Sequence, residues 1–168
     1  MGLKYHWSLI KEFALVSLKL KYRGSVLGYL WAILYPLLFL LTLYVVFTQI
    51  ININVPNYAL FLLIGILLWN FLADATRSSI GFMNENKMLI RKAKFPLQTI
   101  VIGACLASFI IFILNLIVFI VLMLFFHASF HVMMFSIPIF LIELFFFVLG
   151  ASFIVSALNI IYRDVVYI

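Results

Sequence analysis

Two long stretches of this sequence contain no Asp, Glu, Lys or Arg. One runs for 50 residues between Arg23 and Asp74, the other for 48 residues between Lys94 and Glu143. A helix crosses bilayer hydrocarbon with about 20 apolar residues, so each stretch has room for two crossings. Of the 168 residues, 68% are hydrophobic and only 10% charged. A soluble domain of this size has no interior that could hide so much apolar surface. The expected fold class is therefore all-α: a polytopic membrane helix bundle of four transmembrane helices preceded by an amphipathic interfacial helix.

The charged residues orient the bundle. Lys4, Lys11, Lys19, Lys21 and Arg23 precede the first apolar run; Arg77, Lys87, Arg91, Lys92 and Lys94 lie between the two runs; Arg163 follows the last. These are all eleven basic residues. Lys and Arg are retained on the cytoplasmic side of membrane proteins, which places all three groups, and both termini, inside. A net charge of +6 would suit nucleic acid, but its distribution follows membrane topology and no nucleic-acid partner is expected.

Residues 1–23 are too polar to span. Helical spacing puts Lys4, Ser8, Lys11, Glu12 and Lys19 on one arc and Trp7, Ile10, Phe13, Val16 and Leu20 largely on the other, with Leu15 breaking the polar face. This pattern predicts a helix lying in the inner interface, its lysines toward anionic membrane lipids or an acidic partner. It is not a cleaved signal peptide, because the apolar stretch that follows is too long and lacks a cleavage site. The spans are expected at 30–51, 58–73, 97–126 and 132–161. The second is short and is expected to continue inward past Asp74, and residues 74–96 form a cytoplasmic loop. Pro36 and Pro96 fall in first turns, where a missing N–H does least harm.

Glu143 is the one acid inside an expected span, and a carboxylate at the bilayer centre costs roughly 3 kcal/mol. It should face protein or water, either on a substrate path or packed against another helix. Ser152, Ser156, Asn159 and Arg163 share one face of the fourth span, and Ala104, Ser108 and Asn115 form a similar stripe on the third beside Gly103-x-x-x-Ala107. Such stripes let membrane helices approach closely, and packing is their default reading. His127 and His131 have the spacing of a metal pair, but the segment reads as a turn with no carboxylate or cysteine near, so no metal is assigned. The single cysteine, Cys105, reads as a small buried apolar residue. No phosphate-binding loop and no nucleophile, base and orienting group occur as a set, so the chain is expected to be neither an ATPase nor another enzyme, and to carry no cofactor of its own. Tyr22, Tyr29, Trp31 and Tyr35 crowd the inner end of the first span as an aromatic belt. Aromatic faces of this kind also stack on sugar rings.

The run Lys21-Tyr22-Arg23-Gly24-Ser25-Val26-Leu27-Gly28-Tyr29-Leu30-Trp31, followed by Tyr35-Pro36-Leu37, closely resembles the opening of permease subunits of the ABC-2 transporter family that export polysaccharides such as O-antigen, teichoic acid and capsule. The likeness continues through Leu63-Ile64-Gly65, Trp69-Asn70-Phe71, Leu89-Ile90-Arg91-Lys92 with Phe95-Pro96, and Arg163-Asp164. It implies a homodimeric channel in the cytoplasmic membrane that exports lipid-linked glycan when separate ABC ATPase subunits bind ATP. Asn84, Glu85, Lys87, Arg91 and Lys92 would then contact the ATPase, and Tyr22, Arg23, Tyr29 and Trp31 would lie near the cytoplasmic entrance. Members of the family usually have six spans, so the four expected here imply a truncated or split permease, or a non-transporting assembly protein. A drug or lipid permease of the same family is the other alternative.

Overall fold

The computed structural model describes residues 3–25, 27–50, 57–85, 97–126 and 135–162. Among these there are five helices and no strand: α1 (Leu3–Lys21), α2 (Leu30–Val45), α3 (Tyr58–Glu85), α4 (Leu97–Phe125) and α5 (Ile137–Ile161). The last four are each long and apolar enough to cross a membrane. A π-helical turn, Val46–Ile50, extends α2.

The core is a seam between α3, α4 and α5. Leu63, Leu67, Phe71 and Ala75 recur every fourth residue along α3, so they share one face, and they meet Cys105 and Phe112 of α4 and Val148 of α5. Lipid is as apolar as a leucine side chain, so contact between spans is driven by close packing rather than by escape from water. The buried set fits that requirement: Ala75, Ala104, Cys105 and Ala107 are small, and Ser79, Ser108, Ser152 and Ser156 add little bulk. Ser79 donates its hydroxyl hydrogen to the Ala75 carbonyl at 2.7 Å and Thr76 donates to Leu72 at 2.9 Å, so these polar groups are satisfied within their own helix. Phe71 stacks on Phe112 with centroids 5.0 Å apart, and Phe109 meets Phe145 of α5 edge-on at 5.0 Å. The polar stripe read from the sequence on the fourth span does turn inward, with Ser152, Ser156 and Asn159 all buried.

The second span continues past Asp74 as expected, and it takes up residues 74–85 of the expected loop as helix. α3 runs unbroken to Glu85, because nothing from Asp74 to Glu85 forbids helix and Ser79, Ile80, Phe82 and Met83 are buried against the rest of the protein. The other expected spans begin or end a few residues from the helices found, and His127, His131, Arg163 and the segment 86–96 lie outside the described residues.

α1 is docked on protein as well as being amphipathic. Ile10 and Ala14 are buried, and Phe13 meets Phe82 of α3 edge-on at 5.7 Å. At the crossing with α4 stands Gly103. A Cβ there would lie 2.7 Å from the Phe13 Cβ, 3.2 Å from the Ile10 carbonyl oxygen and 3.3 Å from the Ala14 nitrogen. The apolar arc read from the sequence is thus divided, with Ile10 and Phe13 toward protein while Trp7, Val16 and Leu20 remain exposed.

Glu143 does not pack against another helix among the described residues. It is exposed on α5, and at 100° per residue it lies on the side opposite Ser152. With the serine face turned to α3 and α4, the carboxylate has to point away from the bundle.

Candidate functional site

The connection from α1 to α2 makes two left-handed turns, at Gly24 (φ 79°) and Gly28 (φ 49°). Side chains with a Cβ rarely adopt these angles. The Gly28 N–H donates to Ser25 Oγ at 3.1 Å, and the Leu30 N–H donates to the Leu27 carbonyl at 2.9 Å, which starts α2. The path carries the end of α1 up against α3, where Lys21 forms an ion pair with Asp74. Beside that pair lies a cleft of about 380 Å3, within the range of small-molecule sites.

Four segments wall the cleft. Lys21 and Tyr22 stand at its mouth, and α2 supplies Trp31, Ala32, Tyr35 and Pro36. Pro36 is the buried residue of α2, sits in its second turn rather than its first, and has no N–H to give the Ala32 carbonyl. From α3 come Trp69, Asn70, Asp74 and Arg77, of which Asn70, Asp74 and Arg77 follow at spacings of four and three and so share a face. From α4 come Ser108, Ile111, Phe112 and Asn115. Asn115 donates one amide hydrogen to the Ile111 carbonyl at 3.0 Å. A second, wholly apolar groove of about 550 Å3 lies between α3, α4 and α5, lined by residues such as Leu116, Phe119 and Phe140. Its walls bring no hydrogen-bonding side chain, so the polar cleft is the candidate site.

The electrostatics of the cleft are mixed. Lys21 and Arg77 against Asp74 leave one net positive charge. Asp74 is held by Lys21, while Arg77, one turn further along α3, is exposed and forms no ion pair among the described residues. The Tyr22 ring lies 4.7 Å from that of Tyr29 and within 6.0 Å of the Lys21 ammonium. Burial, then the Asp74 charge, then Tyr29 push the Tyr22 phenol up to about 12. The neutral phenol is therefore the form the fold favours. Its contribution to stability is complete below pH 10 and is lost as the pH rises from 10 toward 12. Subtracting the tyrosinate absorbance of a Tyr22→Phe variant should isolate a phenol that titrates near pH 12; titration of that phenol near 10 would show that burial and Asp74 do not act on it.

Of the four residues assigned to an entrance, Tyr22 and Trp31 line the cleft, Tyr29 packs on Tyr22, and Arg23 is exposed at the same end. Trp69, Asn70, Asp74, Arg77, Ser108 and Asn115 also belong to the site. The motif Trp69-Asn70-Phe71 was the one sequence signal for the α3 wall. Of the residues assigned to ATPase contact, Asn84 and Glu85 end α3, and Lys87, Arg91 and Lys92 lie outside the described residues. Stacking surfaces, amides and an excess cation together suit a ligand with ring faces, hydroxyls and negative charge.

No family model matches the chain. It is, however, 31% identical over 164 residues to an O-antigen export system permease protein RfbA of Klebsiella pneumoniae, covering 97% of this chain and 63% of that protein. A second Klebsiella pneumoniae protein of that name is 29% identical over the same coverage, and one from Myxococcus xanthus is 31% identical over 90% of this chain and 58% of its own length. The chain is similar to O-antigen export permeases over nearly its whole length. The chain spans about three fifths of the length of the relatives it matches. The individual motifs and the four apolar helices agree with that likeness, and the molecule is a multi-pass membrane protein.

Proposed function

We propose that this chain is the membrane-spanning permease part of an ATP-driven exporter that moves lipid-linked polysaccharide across the bacterial cytoplasmic membrane. The carrying observation is the match to O-antigen export permeases over 90–97% of the chain. The cleft supports it, since the aromatic faces of Trp31, Tyr35 and Trp69 and the amides of Asn70 and Asn115 are groups that hold sugars. Drug or apolar lipid cargo would have little use for those amides. In this reading both termini are cytoplasmic, as the basic residues require. α1 lies in the inner interface with Trp7, Val16 and Leu20 toward lipid and Lys11 and Lys19 toward headgroups. Two copies act together, and the segment Asn84–Ala93 contacts a separate ATPase subunit that supplies the energy.

Deleting the gene from the producing bacterium should remove the glycan from the cell surface and leave its lipid-linked form inside. Surface glycan unchanged by deletion would refute export. Complementing with the Arg91→Glu, Lys92→Glu double variant should restore neither surface glycan nor co-purification of the ATPase; retained co-purification would refute docking at that segment.

A further inference from the structure

The apolar groove between α3, α4 and α5 is separate from the polar cleft, with only Phe112 in common. Its wall on α4 runs from Phe112 to Met123, a length of about 16 Å at 1.5 Å per residue. One leaflet of bilayer hydrocarbon is about 15 Å thick. The groove is therefore as long as the space a single acyl chain occupies when it lies along the helices. On α5 its wall is the first two turns, Ile137 to Leu144. With the basic residues inside, that end of α5 is the outer one.

Glu143 stands at the rim of this groove. It precedes Leu144 and follows Phe140 by three residues, and both of these line the groove. It is exposed and makes no ion pair or hydrogen bond among the described residues. Side chains on a helix lean toward its N-terminus, so the carboxylate is directed along the groove toward the outer headgroups. A carboxylate in a membrane span calls for a partner. All eleven Lys and Arg residues fall in the segments read as cytoplasmic, so neither this chain nor a second copy in the same orientation brings one to that depth. We propose that the groove holds an acyl chain of an outer-leaflet aminophospholipid, such as phosphatidylethanolamine, whose headgroup ammonium pairs with Glu143. The charge decides the headgroup: a primary ammonium attracts the carboxylate and donates N–H bonds to it, a choline has the charge without the donors, and an anionic headgroup is repelled. The lipid is a resident of the bundle and not its cargo. The inference thus goes beyond the export reading, takes from it only the choice of leaflet, and is measured without export, so the two fail separately.

The full chain is purified in detergent, mixed with equimolar phosphatidylethanolamine, phosphatidylcholine and phosphatidylglycerol of identical acyl chains, and weighed by native mass spectrometry, which counts the lipids it retains. The expected result is one tightly held phosphatidylethanolamine, favoured over phosphatidylglycerol by about tenfold, the scale of one charge-assisted hydrogen bond, with phosphatidylcholine between them. Glu143→Gln keeps the shape of the side chain and should retain a lipid without that preference. Ile120→Trp, at a groove position 40% exposed, fills the groove from its open side and should lose the lipid whatever its headgroup. Equal retention of phosphatidylethanolamine and phosphatidylglycerol, or phosphatidylcholine held as well as phosphatidylethanolamine, overturns the ammonium pairing. A preference that survives Glu143→Gln overturns the role of that carboxylate, and a lipid kept unchanged by Ile120→Trp overturns the groove. A mass of two chains that Glu143→Gln returns to one gives the face to a second copy and overturns the lipid. If Ile120→Trp does not fold, Glu143→Gln, made at an exposed residue, decides the proposal by itself.

Discussion

Replacing Gly103 with Leu should detach α1 from the bundle. The three atoms that a Cβ at this position would meet are the Phe13 Cβ at 2.7 Å, the Ile10 carbonyl oxygen at 3.2 Å and the Ala14 nitrogen at 3.3 Å. Two of these are backbone atoms and the third is fixed to the backbone, so no rotamer change relieves the contact and the helix itself has to move. Overpacking of this kind costs about 1–3 kcal/mol and occasionally more. Gly103→Ala sets that cost against a gain of about 1 kcal/mol in helix propensity, so its net effect is smaller. Trypsin reads the result, because Lys11 and Lys19 are exposed but held in helical backbone that has to open before cleavage. Cleavage at these lysines should quicken by about tenfold or more in Gly103→Leu, the factor that 1.4 kcal/mol represents, and less in Gly103→Ala. Adding Phe13→Ala should not restore protection, since alanine keeps the Cβ. A Gly103→Leu protein cleaved at the wild-type rate would mean that α1 does not cross α4 there.

The second large effect is expected at Phe71. Its side chain is 2% exposed, lies 5.0 Å from the Phe112 ring and 5.6 Å from that of Phe109, and separates the core seam from the cleft. Truncating a buried Phe to Ala costs about 3–5 kcal/mol in water-soluble cores. Between helices in lipid the transfer part of that cost is absent and the lost packing remains, so about 3 kcal/mol is expected here. Thermal unfolding in detergent should rank Phe71→Ala well below Phe71→Leu and the wild type. Phe61→Ala, at a residue 71% exposed on the same helix, should match the wild type. Equal melting of Phe71→Ala and Phe61→Ala would show that the α3 seam is not where stability resides. Because Phe71 and Phe112 also line the cleft, the vacated volume should open into it.

The membrane helices were legible because their signals are local. An uncharged run, a basic cluster and a stripe at every fourth residue are each read within a few turns, and the burial of Ser152, Ser156 and Asn159 followed from spacing alone. The aromatic crowd around Tyr22 and Trp31 was legible for the same reason. Long-range pairing was not. Lys21 and Asp74 are 53 residues apart, and nothing in either neighbourhood indicates the other. Ser108 and Asn115 were assigned to packing, and they are buried as packing residues should be, yet they also wall the cleft, because α2 leaves part of α4 uncovered. Gly103 looked like half of a contact between spans, and its partner proved to be the surface helix. Sequence shows which residue is small, and only the assembled fold shows what comes close to it. Of the two readings of Glu143, packing against another helix is the one its exposure on α5 does not favour. Among the described residues no helix covers that side of α5.

The crossing at Gly103 also sets a schedule for synthesis. Gly103 follows Ile10 by 93 residues, and a bacterial-type ribosome adds about 5–20 residues per second. The docking surface for α1 therefore does not exist until about 5–20 s after α1 has been made. During that interval Ile10, Phe13 and Ala14 lack α4 to lie against, and Phe13 meets Phe82 only once α3 has been made. The order of synthesis thus makes α1 the first helix made and, at this crossing, among the last to be seated, so its exposed Trp7, Val16 and Leu20 are the apolar surface it carries through the wait.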